Sequence, residues 1–420
     1  MEFFLDVTFG FAFFYPLLMA YIWMTGAIMY YRRFESKQPT YNQPPKLSIY
    51  PMVSILVPCF NESKHARSTF EALVELDYPN YEVIAVNDGS SDDTGSCLED
   101  LARDMPRMRV VHLATNQGKA KALKSAAMAA KGEFFVCIDC DAILDHYAVT
   151  WIMTQFINNP RVGAVTGNPR IRNRATFLGR IQVGEFSAII GLLKRAQRVY
   201  GRVFTISGVI GGFRRTALHR VGYWSSDTQT EDIDISWNMQ LSYLDVRFEP
   251  RALCWILMPE TIRGLYKQRL RWAIGGGQVI KKYFGRLCAW NSRRMWGVFA
   301  EYCLSILWSY SMLIVLLAWV YETAEHLYRG NIHDLNLSLA PQWQGALLGI
   351  TCLLQFAISL YIDRRYDHKL FHVYLSVIWF PIFYWVLNWV VAFMGFPKAM
   401  LRRRTANGGK WVTLDRGVST

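Results

Sequence analysis

The sequence contains neither of the common glycine-rich phosphate loops. Gly-x-Gly-x-x-Gly does not occur, nor does a Walker sequence. A dinucleotide oxidoreductase and a P-loop enzyme are therefore excluded. It also has no Ser-His or Cys-His pairing at a recognisable nucleophile elbow. The eight cysteines are scattered and form no disulfide framework. Cys137 and Cys140 make a single Cys-x-x-Cys with no second pair at zinc-site spacing, which reads as a buried strand residue plus a spacer. Charge is scarce too. Asp, Glu, Lys and Arg make up 19% of the chain, against roughly 25% in average soluble proteins. Acid is absent from Thr261 to Ala300, where nine Lys or Arg stand beside apolar residues. The net charge of +13 thus points to lipid headgroups or phosphates and away from a nucleic-acid duplex.

Apolar residues fill the space that charge leaves. Residues 9–31 carry no charge and meet the ~20-residue length of a membrane span. Arg32 and Arg33 close the run, and only Glu2 and Asp6 precede it. A cleaved signal carries its positive charge on the other side, so residues 1–33 read as a retained anchor whose far end is cytoplasmic. Residues 34–51, with Pro44-Pro45, read as a linker, and 52–258 as a cytosolic catalytic domain. Residues 259–298 interleave Leu265, Leu270, Trp272 and Ala273 with Arg263, Lys267, Arg269 and Arg271, the pattern of interfacial amphipathic helices. Residues 299–396 hold three spanning candidates, at 299–321, 343–362 and 373–396. The tail 397–420 is basic, with Arg402, Arg403, Arg404 and Lys410. Counting crossings puts that tail outside, whereas its charge argues for inside.

Within 52–258, strands at Val53–Val57, Tyr81–Val86, Arg109–Leu113 and Glu133–Ile138 alternate with helical stretches. That alternation predicts an α/β domain with a mainly parallel, doubly wound sheet. Such sheets bind ligands beyond the carboxyl ends of their strands. Those ends carry Pro58-Cys59-Phe60-Asn61-Glu62, Asn87-Asp88-Gly89-Ser90, Asn116-Gln117-Gly118-Lys119 and Asp139-Cys140-Asp141. Acids gathered on one rim need a cation, and Asp-x-Asp at a strand end suits Mg2+ or Mn2+. Asp88-Gly89 is equally turn chemistry. Thr230-Glu231-Asp232 opens a further helix, whose N-terminus favours carboxylates on structural grounds alone. Phe186, Trp224 and Trp237 read as core.

Asp88, Asp139-x-Asp141, Thr230-Glu231-Asp232 and Gln268-Arg269-Leu270-Arg271-Trp272 occur in this order. In this the chain resembles the processive family 2 glycosyltransferases of GT-A fold, which include cellulose, hyaluronan, chitin and poly-N-acetylglucosamine synthases. The resemblance spans nearly the whole chain. It is finest with the poly-N-acetylglucosamine branch, through Val165–Arg170, Glu231–Trp237 and Ala252–Glu260. It implies an inverting transfer from UDP-N-acetylglucosamine to a growing biofilm exopolysaccharide at the bacterial inner membrane. Pro58, Phe60, Asn61 and Glu62 would line the uridine pocket. Asp88 would hold the uracil with Lys119 close by, and Asp139 would face the nucleotide-sugar beside Glu231. Asp141 would hold the metal, and Asp232 would be the base. Gln268, Arg271 and Trp272 would close the site, with Arg271 on the diphosphate and Trp272 under the acceptor sugar. Trp411-Val412-Thr413 has a short likeness to the gating loops of some synthases. Gram-negative members further imply a small membrane partner subunit and activation by cyclic di-GMP. A hyaluronan-, chitin- or cellulose-type synthase, or a non-processive transferase acting on a lipid carrier, would share the acidic loops.

Overall fold

A computed structural model describes residues 2–329, 343–368 and 370–401. The basic residues at 402–410 and the Trp411-Val412-Thr413 segment lie outside the described residues. In chain order the elements begin with helix α1 (Glu2–Tyr30), which ends in a π-turn at Tyr31–Glu35. There follow β1 (Val53–Cys59), α2 (Ser63–Val74), β2 (Tyr81–Asp88), α3 (Thr94–Asp104), β3 (Met108–Leu113) and α4 (Lys119–Ala129). Next are β4 (Phe134–Ile138), β5 (Ile143–Leu144), α5 (Ala148–Ile157), β6 (Val162–Ile171), α6 (Phe177–Glu185) and α7 (Leu192–Tyr200). The sheet is completed by β7 (Ile210–Arg214), α8 (Arg215–Val221), α9 (Glu231–Leu241) and β8 (Asp245–Ile256). The remaining helices are α10 (Ile262–Leu287), α11 (Trp296–Tyr328), α12 (Trp343–Asp363), α13 (Tyr374–Val377) and α14 (Phe380–Leu401).

The eight strands form one sheet in the order β3-β2-β1-β4-β7-β6-β8-β5. The strands β3, β2, β1 and β4 are mutually parallel, as the alternation predicted. The sheet is mainly parallel, as expected, since six of its eight strands share one direction and only β7 and β5 are reversed. β7 runs antiparallel to both β4 and β6, and β5 is antiparallel to β8. β7 is reached from β6 through α6 and α7 and is entered by a tight turn in which Ile210 N donates to Ser207 O at 3.1 Å. Its Gly211-Gly212 also gives no hydrophobic alternation to read.

Both faces of the sheet are covered, so its strands are apolar on both sides. Ile55, Val57 and Cys59 face a core shared with Phe70 of α2, Leu98 of α3 and Trp151 of α5. Leu56 faces the opposite core, with Leu123 of α4, Leu218 of α8 and Met239 of α9. Phe186, Trp224 and Trp237 are buried, as expected of core residues. The first of these cores continues without a break into Phe356 and Leu360 of α12 and Phe380 of α14.

Three segments among the described residues are helical, long and apolar enough to cross a membrane: Phe3–Glu35, Trp290–Tyr328 and Trp343–Asp363. The ends of the first and third are tied to α7 and β6 by buried ions. Arg195 on α7 binds Glu35 at the end of α1 at 2.7 Å and Asp363 at the end of α12 at 2.9 Å. Arg170 on β6 reaches Asp363 at 2.8 Å, and the Tyr366 hydroxyl donates to Glu35 at 2.6 Å. All five side chains are buried. Breaking such a pair leaves an uncompensated charge and costs about 3–5 kcal/mol.

Candidate active site

Four strand-end loops and the first turn of α9 meet on one rim. After β1, Asn61 adopts a left-handed conformation (φ +53°), which asparagine tolerates better than most residues. Its Oδ1 accepts from Ser91 N at 2.9 Å, and its own N–H donates to Ser90 Oγ at 3.0 Å. Glu62 is buried, and its N–H donates to Thr94 Oγ1 at 2.8 Å. Pro58 is buried and Phe60 partly so. Asp88 is fully buried and accepts from the backbone N–H groups of Gln117 and Gly118, at 2.9 and 2.8 Å. Burial pushes its carboxyl above the usual range against the pull of those two donors. Asp88 thus joins the β2 and β3 loops.

Lys119 opens α4, and its ammonium is turned towards the acids. It lies 2.5 Å from Asp139 and 3.3 Å from Glu231, and it donates to the Gly208 carbonyl at 3.0 Å. Burial pulls this ammonium down, but Asp139 and Glu231 more than reverse the effect, so it stays charged. One lysine therefore neutralises the repulsion between acids from β4 and α9. Asp141, two residues beyond Asp139, is buried within electrostatic reach of Arg172 just after β6. Among the described residues no three His, Cys, Asp or Glu side chains converge on one point. An Asp-x-Asp pair fits a hard divalent ion all the same, since Mg2+-type sites use one or two carboxylates and leave other positions to phosphate oxygens and water. Cys137 and Cys140 are both buried, as expected of a strand residue and a spacer.

Asp232 sits in the first turn of α9. Its Oδ1 accepts from Ile233 N at 2.9 Å and its Oδ2 from Gly208 N at 3.2 Å. A Cβ on Gly208 would lie 2.9 Å from that oxygen, so only glycine admits the carboxylate this close. Burial and the neighbouring Glu231 charge raise the Asp232 carboxyl to about 6, against the opposing pull of Lys119 and Arg271. A carboxyl tuned towards neutral pH is what proton abstraction from a hydroxyl requires. Asp234, two residues on, is engaged structurally by Lys282 at 2.8 Å.

The helix α10 carries Gln268–Trp272 and starts at a Thr261 N-cap that accepts from Gly264 N at 3.1 Å. It is not simply a lipid-facing helix. Arg269 is buried on Glu185 at 2.6 Å and stacks 4.2 Å over the Trp272 ring. Lys282 binds Asp227 at 2.9 Å, and Arg286 donates to Leu241 O at 3.1 Å. These three cations hold protein groups; the two outside Gln268–Trp272, Lys282 and Arg286, depart from the expectation that the basic run meets lipid headgroups or phosphates. Arg263 and Lys267 are exposed. Arg271 is exposed within electrostatic reach of Asp232. Gln268 keeps a buried Oε1 with no hydrogen-bond partner among the described residues. The sequence reading missed the Ser207–Gly208 loop and Arg172. The only signal for the loop is a Ser-Gly pair before an apolar run, and a lone arginine after a strand carries none.

The region 54–222 matches the model of glycosyl transferase family 2. A poly-beta-1,6-N-acetyl-D-glucosamine synthase of Staphylococcus epidermidis is 38% identical over 413 residues, 97% of this chain and 98% of that one. A synthase of the same name from Staphylococcus aureus is 36% identical over 411 residues, again 97% and 98%. Among solved structures, a mannosyltransferase from Pyrobaculum calidifontis in complex with GDP-Man and Mn2+ superposes with a TM-score of 0.67 at 20% identity. It covers 94% of this chain and 98% of that chain. That likeness speaks for the fold.

Proposed function

We propose, for a chain that belongs to the family of the poly-β-1,6-N-acetyl-D-glucosamine synthases within glycosyl transferase family 2, that it extends a poly-β-1,6-N-acetylglucosamine chain from UDP-N-acetylglucosamine. The observation that carries this reading is Asp232, a carboxyl raised to about 6 and aimed by the Gly208 N–H beside the Lys119–Asp139 pair. The acceptor hydroxyl loses its proton to Asp232 as its oxygen bonds to the anomeric carbon. The bond from that carbon to the diphosphate breaks, and UDP departs with the electron pair. One displacement inverts the donor's α-configuration and gives a β-linkage.

Arg271 suits the departing diphosphate because its planar fork binds two oxygens. Trp272 offers a flat apolar face to the C–H side of an acceptor sugar. Pro58, Phe60, Asn61 and Glu62 frame the base and ribose, with Asp88 holding the loops around them. Asp141 would hold a Mg2+ or Mn2+ ion, whose charge lowers the cost of the leaving diphosphate.

The three apolar helical segments support a membrane enzyme; on this reading the membrane is the inner one, and residues 52–258 lie in the cytoplasm where nucleotide-sugars are made. The polymer then leaves across the bilayer as it grows. A small membrane partner subunit and activation by cyclic di-GMP belong to this reading on family resemblance alone. Membranes containing the chain are incubated with separate UDP-sugars and the product is sized and linkage-analysed. A long β-1,6-linked N-acetylglucosamine polymer is expected. A product of one or two sugars would sink the polymerase reading. Asp232→Asn should keep UDP-sugar binding and abolish transfer.

A further inference from the structure

Lys194 takes no part in the chemistry described so far. It lies on α7, is 4% exposed, and has no carboxylate within ion-pair distance among the described residues. Its ammonium donates to Thr166 Oγ1 on β6 at 2.9 Å, with the Phe248 ring 5.8 Å away. The same Thr166 oxygen accepts the backbone N–H of Ser207 at 2.9 Å. Two donors fill both lone pairs of that hydroxyl. The next residue, Gly208, gives its N–H to Asp232.

We propose that Lys194 is a positioning residue for Asp232, holding the Ser207–Gly208 loop through Thr166 so that the Gly208 N–H fixes the carboxylate. The inference rests on the reading of Asp232 as the base. The loop has two further anchors: Ile206 N donates to Ser236 Oγ at 2.7 Å, and Gly208 O accepts from Lys119. Lys194 and Thr166 supply the one between them. The approach of Gly208 to Asp232 is too tight for a Cβ, so a shift of the loop is passed directly to the carboxylate.

Energetics favour a functional role over a structural one. Burial pulls the Lys194 ammonium down to about 7, with only the Asp232 charge resisting. A buried ammonium with one neutral acceptor costs stability, and an apolar chain of similar length would not. A lysine held there at the expense of stability is placed for the site.

The test uses the full chain in detergent with UDP-N-acetylglucosamine. Lys194→Met is expected to lower kcat by about 10- to 100-fold, the scale of a small misplacement of a reacting group. KM for the donor and UDP affinity stay unchanged, and the thermal midpoint is equal or higher. Thr166→Val gives a similar loss, and Thr166→Ser recovers most of it. The double variant Lys194→Met/Thr166→Val is no worse than the single ones, since both break the same chain of contacts. Wild-type kcat in Lys194→Met overturns the proposal. So does a loss of kcat accompanied by falls in thermal midpoint and UDP affinity. Asp232→Asn runs alongside: if it still turns over, the base reading fails. If it is inactive while Lys194→Met is normal, only the role of Lys194 falls.

Discussion

Gly275 on α10 lies against Thr230, so closely that a Cβ would fall 2.2 Å from the threonine hydroxyl oxygen. The helix with Gln268–Trp272 and the helix with the base therefore meet at a fixed distance. Gly275→Ala forces them apart. Overpacking of this kind costs about 1–3 kcal/mol, and Arg271 moves away from Asp232. Loss of both thermal stability and transfer is expected. Gly275→Ala/Thr230→Gly should recover much of each, since glycine serves almost as well at the start of a helix. Unfolding curves and initial rates on both variants check this.

The acid side of the pH profile should report Asp232. In the proposed base role its carboxylate form is the active one, so kcat should fall as pH drops through about 6. Glu231 raises that value by its charge, and Glu231→Gln should move the acid limb to lower pH. Stability runs the other way. The folded carboxyl is raised from 3.8, so its favourable contribution is complete below that value and is lost as pH rises through about 6. Asp232→Asn should therefore be inactive yet more heat-stable than wild type at neutral pH. Rates and melting curves from pH 4 upwards test both signs.

Arg269 and Glu185 are buried together at 2.6 Å. Glu185→Ala strands the cation and should cost about 3–5 kcal/mol. Replacing both residues by Met should restore stability, because a packed apolar pair often equals a buried ion pair. It removes the guanidinium stacked on Trp272 as well, so the product of the double variant should be shorter. Denaturation and product sizing separate the two effects.

The proposed metal role of Asp141 makes transfer dependent on a divalent ion. Chelation of divalent ions should stop transfer, and Mn2+ or Mg2+ should restore it. Asp141→Asn should raise the metal concentration needed for half-maximal rate, whereas Arg329→Ala, in an exposed pair with Glu325 at the end of α11, should not. Metal titration of the initial rate measures this.

The parallel half of the sheet was legible because its strands are apolar runs and its loops carry polar signatures at their ends. The meeting of Asp88, Lys119 and Asp139 on one rim follows from that topology alone. The reversed β7 was not legible, because Gly211-Gly212 carries no side-chain pattern. Arg170, Arg195 and Arg269 were also hidden, because a buried arginine is recognised only by a partner distant in sequence. Glu35, Asp363 and Glu185 are those partners. The linkage of Gly208 to Asp232 is equally non-local: it joins the loop before β7 to the start of α9.

The ion cluster of Glu35, Arg195, Asp363 and Arg170 has a mechanical consequence. It bolts the ends of two apolar helices, α1 and α12, to β6 and α7. Swinging either helix about that junction separates buried ions, at about 3–5 kcal/mol for a pair. The sheet and both helix ends are therefore coupled as one body.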